Sequence, residues 1–229
     1  MRIASLLKPV LASAAAVALI AGFGSSSAMA TIYDVTVWTG APNGVNSSTI
    51  ADAADTPTGT AVAHFLYSGP IAWVNNQGQN QNNSGNLAKD FLNIADISAF
   101  TSPTFADATA FGNSSLSVAG DAYTSFFQIT GVSAGPVSGT ITHDDGASVY
   151  AGLVAVYSSP AETQVLTGNF VLPAGAFTID YVEANGSPSI LTFTTSGVPE
   201  LSTWAMMIIG FGGVGLQMRR RERNVAMTA

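Results

Sequence analysis

The sequence predicts an all-β body, a single antiparallel β-sandwich or jelly roll over residues 31–197, and three observations carry that expectation. Apolar and polar residues alternate in short runs. The segments between the runs are rich in Thr, Ser, Val, Gly and Asn, and helical periodicity is confined to one stretch. Many short strands with turn signals at this spacing suit a sandwich better than a layered α/β fold.

Residues 1–30 read as a secretory signal peptide. Arg2 and Lys8 form a positive start, Leu11 to Phe23 is an apolar stretch of mostly small residues, and Ala28-Met29-Ala30 is a small-x-small cleavage site. The mature chain is therefore expected to begin at Thr31.

Nine strands are expected in the body: Ile32 to Trp38, Ala61 to Tyr67, Tyr123 to Thr130, Val137 to His143, Ala147 to Ala151, Leu153 to Tyr157, Val165 to Leu172, Phe177 to Ala184 and Ile190 to Thr194. The Asn/Gln-rich run over residues 75–86 is too polar to pack and reads as an exposed loop. Leu87 to Phe100 is the one expected helix, because Leu87, Asp90, Phe91, Ile94 and Ile97 fall near helical spacing. No repeat of fixed period is seen, and the Thr-x-Thr ladder that an ice-binding face would need is not expected.

Residues 198–223 form a different unit. Pro199, Glu200, Trp204 and Ala205 precede a greasy, glycine-containing run, and Arg219, Arg220 and Arg221 follow it. Leu201 to Met218 carries no charge, the minimum for a membrane helix at about 1.5 Å per residue and a hydrocarbon core of about 30 Å. A transmembrane helix is expected over about 202–218 with residues 224–229 as a cytoplasmic tail, because basic clusters stay on the cytoplasmic side.

Charge divides the chain in the same way. Of the seven Lys and Arg residues only Lys89 lies in the body, against twelve Asp and Glu residues, so the body has a net charge of −11. Such a surface repels phosphate backbones and anionic headgroups, which excludes nucleic acid as a partner and leaves divalent cations and neutral sugars. There is no cysteine, hence no disulfide, thiolate catalysis or cysteine zinc site.

What chemistry the body offers sits at His143-Asp144-Asp145-Gly146, a sharp acidic turn between two expected strands. Adjacent carboxylates suit a hard cation such as calcium, because oxygen ligands offset their mutual repulsion. Asp-Asp-Gly is equally a plain turn in which Asp side chains satisfy nearby amides. His143 is expected at a solvent-exposed strand end, with a third ligand or a hydrogen-bonded neighbour of the aspartates as the alternatives, and Trp38 and Trp73 read as core before sugar platforms. Asp180 and Glu183 lie three apart on a strand, on opposite faces, so they cannot act together as glycosidase acid and nucleophile. No nucleophile elbow, zinc-binding helix or phosphate loop is present, and the chain is not expected to be an enzyme.

Two resemblances sharpen this reading. The segment from Val198 to about Arg223 resembles the PEP-CTERM sorting signal in its Trp-Ala variety, with Leu201 in place of the motif's second proline. That resemblance implies processing near the motif by an exosortase, a membrane-embedded protease, after passage through the secretion translocon of a Gram-negative bacterium. The protein would be membrane-anchored for a time and then reach the cell surface or extracellular matrix. The segments around Asp144-Asp145-Gly146, Tyr150, Gly152, Leu172, Ala174-Gly175, Tyr181 and Glu183 resemble the PA14 β-sandwich. In its carbohydrate-binding members the paired aspartates, joined by a cis peptide, hold a calcium ion that grips sugar hydroxyls. The resemblance thus implies calcium at Asp144 and Asp145 and a glycan or exopolysaccharide partner. A purely structural matrix or biofilm protein without a ligand, and an exported glycan hydrolase, stay open as alternatives.

Overall fold

The structure, a computed structural model, describes residues 32–42, 44–75, 86–118 and 120–197, together with Phe211. The expectations for the leader with Ala28, Ala30 and Thr31, and for the tail with Pro199, Glu200, Trp204, Ala205, Arg219, Arg220 and Arg221, lie outside the described residues. So does the stretch 76–85 of the polar loop. Among the described residues no helix is long and apolar enough to cross a membrane.

Eleven strands follow in chain order: β1 (Tyr33–Gly40), β2 (Ala63–Tyr67), β3 (Ala72–Asn75), β4 (Ile97–Thr101), β5 (Thr124–Ser133), β6 (Val137–His143), β7 (Ala147–Ala151), β8 (Val154–Ser159), β9 (Leu166–Leu172), β10 (Gly175–Glu183) and β11 (Ser189–Gly197). They form a seven-stranded sheet of order β4-β2-β1-β5-β10-β7-β8 and a four-stranded sheet of order β3-β11-β6-β9. Every pairing is antiparallel. The mostly-β sandwich expected from alternation is therefore what forms. β6 and β7 have the expected bounds, and the other expected strands shift by a few residues at their ends.

The expected helix over Leu87 to Phe100 is corrected. Only α1 (Ala88–Phe91) is α-helical; a 3-10 turn follows at Ile94–Asp96, and Ile97–Thr101 is the edge strand β4. Leu92 is extended, and the Asn93 side chain accepts from the Ala95 amide, so the chain leaves the helix after one turn. Phe91 and Ala88 are buried all the same. A second short helix, α2 (Ala108–Gly112), begins at Asp107, whose carboxylate accepts from the Ala110 amide at 2.8 Å.

Alternation places one side of each strand between the sheets. Trp73, Phe91, Phe127 and Tyr181 meet there, Phe91 stacked on Tyr181 at 5.7 Å and Trp73 tilted against Phe127 at 5.9 Å. Each such ring contributes about 1.5–3 kcal/mol by leaving water. Trp73 is thus core, while Trp38 is half-buried on the opposite face of the large sheet, edge-on to Phe126 with its indole N–H donating to the Gly59 carbonyl.

Threonines of β6, β11 and β9 form a short cross-strand ladder, which does not bear on the repeated Thr-x-Thr array of an ice-binding face. Thr140 and Thr142 on β6 stand in register with Thr194 and Thr192 on β11, and Thr142 also pairs with Thr167 on β9. Hydroxyl pairs Thr140–Thr194 and Thr142–Thr167 lie at 2.7 and 2.8 Å. Two Thr-x-Thr segments some fifty residues apart form the ladder only once β6 and β11 pair.

Strand direction decides what gathers at each end. The connections 144–146, 160–165 and 184–188 cross between the sheets at one end. At the opposite end 134–136 and 173–174 cross, and the β7–β8 hairpin turns at Gly152 and Leu153.

Candidate functional site

The three crossings at the first end bring Asp144 and Asp145 of one connection over Tyr181 and Glu183, the inward residues that close β10. Gly146 lets this happen: a Cβ there would collide with the Pro160 carbonyl oxygen of the neighbouring crossing. The polypeptide can therefore bring the acidic turn against 160–165 only with glycine at that position.

The carboxylates of Asp144, Asp145 and Glu183 offer oxygens that all lie within 4.8 Å of one another. Asp144 and Asp145 are 6% and 5% exposed, and Glu183 is 0% exposed. Asp144 Oδ1 accepts from the Ile190 amide at 2.8 Å and lies 3.2 Å from the Tyr181 hydroxyl, while Asp145 Oδ2 accepts from the Ala184 amide at 2.8 Å. Glu183 Oε1 accepts from Asn86 Nδ2 at 2.7 Å and Ser117 Oγ at 2.9 Å, and Oε2 accepts from Tyr181 at 2.7 Å.

These contacts separate the three acids into two roles. Both oxygens of Glu183 are taken by three protein donors at the floor of the cluster, so Glu183 ties loops 86 and 117 to β10. The aspartates instead border a cavity of about 470 Å3, whose wall continues through Glu162, Gln164, Asn185 and Ser187. Only the aspartates stand where a ligand could reach them.

Burial drives the electrostatics. Desolvation raises Asp144 to about 6, against the amide of Ile190, which favours its charged form. Asp145 is raised to about 8, by desolvation first and then by the charge of Asp144. Glu183 is pushed well above the usual carboxylate range by burial and by both aspartates, and Tyr181 is raised for the same reasons. Three acids this close cannot all be ionised in a dry site, so the cluster holds protons or a cation. The donor set fits a hard divalent ion: it is all oxygen, anionic and buried, and two of its members face the cavity.

His143 departs from the expectation of solvent exposure. It is fully buried; Nδ1 donates to the Asp145 carbonyl, which makes Nε2 the acceptor for the Tyr157 hydroxyl at 2.7 Å. With both nitrogens bonded and its pKa lowered by burial, His143 is a neutral brace of the turn and not a third ligand. The cis peptide implied between the aspartates is not found; among the described residues the cis bond is Ser187–Pro188. Asn75 and Asn86, read as ends of an exposed loop, are both buried, Asn75 Nδ2 donating to Asn86 Oδ1 at 3.0 Å. Asn86 and Ser117 were missed as members of the cluster. Asn86 ends a run of near-identical residues and Ser117 sits in an unremarkable Ser-rich stretch, so no local signal distinguishes them. Asp180, buried on the outer face of β10 and bonded to Gln128 at 3.3 Å, does not join Glu183.

No family model matches the chain, and no curated protein matches it. Among solved structures, the fold is similar to a PA14 sugar-binding domain from an RTX adhesin, with TM-score 0.48 and 18% identity over 76% of this chain and 94% of that one. It is also similar to the PA14 domain of the antifreeze protein MpAFP, with TM-score 0.46 and 15% identity over 78% and 89%. A third likeness, to a GH31 α-xylosidase from Xanthomonas citri, has TM-score 0.34 and 8% identity and covers 75% of this chain but 14% of that enzyme.

Proposed function

We propose that this chain is an exported, non-enzymatic binding module of the cell envelope or extracellular matrix, and that its sandwich takes a neutral glycan through a calcium ion held by Asp144 and Asp145. The observation that supports this reading most is the crowding of three carboxylates within 4.8 Å beneath a polar cavity. Calcium there would neutralise the aspartates and offer open coordination positions to sugar hydroxyls. Export through the translocon and sorting by an exosortase rest on the sequence of the two ends.

The test is a glycan array with the full chain, in calcium and in chelator, beside thermal melts. A ligand at a hundredfold its dissociation constant adds about 2.7 kcal/mol. Each kcal/mol is worth roughly 2–4 °C in a domain of this size, so calcium raises Tm by about 5–10 °C in wild type. Asp144→Asn and Asp145→Asn lose that increment and lose calcium-dependent glycan retention, while magnesium at matched ionic strength does less. Equal responses of wild type and both variants to both ions would leave the acidic turn as structure alone. The saturation of Glu183 by protein donors favours that second reading, a matrix protein without a ligand.

A further inference from the structure

The end of the sandwich opposite the acidic cluster presents exposed apolar side chains on uncharged tips. Three neighbouring tips form it: 132–137 between β5 and β6, 151–154 between β7 and β8, and 171–176 between β9 and β10. The register keeps them together, since Val132 pairs with Ala176, Phe177 with Ala151, Ala151 with Val154, and Val137 with Leu172. None of these residues is charged. Exposed turns ordinarily carry Asn, Asp or Ser, but these tips show water Val132 at 69%, Leu153 at 100%, Val154 at 66% and Val171 at 62% exposure. Leu153 follows Gly152, whose φ of +61° turns the hairpin so that the leucine stands at its point.

The chain leaves the sandwich at the same end. β11 finishes at Gly197, paired with Val137 beside these tips. In sequence, three residues, Val198, Pro199 and Glu200, separate Gly197 from Leu201, where the uncharged run to Met218 begins. The four steps from Gly197 to Leu201 reach at most about 14 Å. If that run enters a bilayer, the apolar tips are held within roughly that distance of its surface. The body's carboxylates do not oppose the approach. Two lie toward this end: Asp96 precedes the edge strand β4, three strands from β5, and Asp34 on β1, next to β5 and opposite Thr130, is paired with His64 at 2.8 Å.

From this geometry we infer that the tips around Val132, Leu153 and Val171 dock on the lipid surface, so that the sandwich stands on the membrane with its acidic end outward. The inference rests on the proposed membrane insertion of residues 201–218. Docking of this kind would hold the Val198–Ala205 segment at the membrane surface, where a membrane-embedded protease works.

The absence of cysteine permits a direct test. Full-length Leu153→Cys and Asn185→Cys, each labelled with an environment-sensitive fluorophore, are reconstituted in phosphatidylcholine vesicles with or without lipids bearing a quencher in the acyl chain. The expected result is co-flotation of both, with a blue shift and several-fold stronger quenching at position 153 than at 185. Co-flotation with both probes aqueous would overturn the docking and leave the tail insertion standing. Failure to float would overturn the tail reading and the docking with it. Shielding of position 153 that grows with protein concentration and ignores the quencher lipids would assign the surface to a second copy of the chain and overturn the lipid contact.

Discussion

The two ends of this sandwich are built from the same parts, turns that cross between two antiparallel sheets, and they have opposite surfaces. At one end the crossings carry Asp144, Asp145, Glu162 and Asn185, with Glu183 beneath them; at the other the crossings carry Pro136, Pro173 and Ala174, beside Leu153 of the β7–β8 hairpin and the strand-end residues Val132 and Val171. The long connections that bear Asp52, Asp107 and Asp121 also return to the acidic end. Net charge alone suggests a protein that repels every anionic surface. Strand direction instead gathers much of that charge at one pole and leaves Asp34 and Asp96 toward the other, and a surface is recognised by what it presents locally. The lesson is that a net charge of −11 describes the body's average and neither of its ends.

The largest test of the acidic end is its floor. Glu183→Ala leaves the donors of Asn86, Ser117 and Tyr181 without their acceptor in a buried site, and each lost partner costs about 1–3 kcal/mol. Urea melts should show a loss of about 3 kcal/mol or more. Glu183→Gln keeps the volume and one carbonyl and should cost clearly less; equal losses would mean that packing, and not the hydrogen bonds, holds the floor.

The next effect is pH dependence without metal. Asp144 at about 6 and Asp145 at about 8 are both raised above 3.8 by burial, so the folded state binds protons more tightly than the unfolded chain. Their stabilising contribution is complete below about pH 4 and is lost as pH rises through 6 and then 8. Each tenfold gain in proton affinity on folding is worth about 1.4 kcal/mol, so the metal-free protein should be less stable at pH 8.5 than at pH 5 by several kcal/mol. Asp180 is raised to about 6 by its burial on the outer face, and Asp180→Asn should flatten the portion between pH 4 and 6 while leaving the later portion in place. Because a cation needs both aspartates ionised, calcium's increment in Tm should grow from pH 6 to 8.5, with proton release measurable by calorimetry in buffers of different ionisation enthalpy. A pH-independent calcium increment would place the ion elsewhere.

The smallest effect belongs to the apolar end and sharpens the contrast by its smallness. Leu153 is fully exposed, so Leu153→Ser should change stability by no more than about 0.5 kcal/mol. Leu172, on β9 of the smaller sheet and 1% exposed, should cost about 2–5 kcal/mol as alanine. A sizeable loss from Leu153→Ser would mean that this tip already packs against protein.

Much of the fold was legible because alternation is a local property: β6, with inward Ile141 between outward Thr140 and Thr142, can be read from seven letters. β4 was not legible, since Ile94 and Ile97 mimic helical spacing and only the open edge of β2 turns Ile97–Thr101 into a strand. The aspartates drew notice as an adjacent pair. Glu183 entered beside them through the sandwich resemblance, but Asn86 and Ser117 did not, because they come from distant segments and meet Glu183 only when the sheets close.

The sequence by itself determined the two-period strands, the glycine turns, the absence of cysteine, and the separation of a nearly base-free body from its basic ends. Each of these follows from side-chain chemistry acting over a few neighbouring residues. The tertiary structure alone decided that His143 is buried and neutral, that Glu183 is held beneath the aspartates by Asn86, Ser117 and Tyr181, and that the acidic cluster and the apolar tips stand at opposite ends. Those outcomes depend on which crossings share an end of the sandwich. Antiparallel pairing sets this through contacts between residues far apart in the chain, where no local pattern reaches.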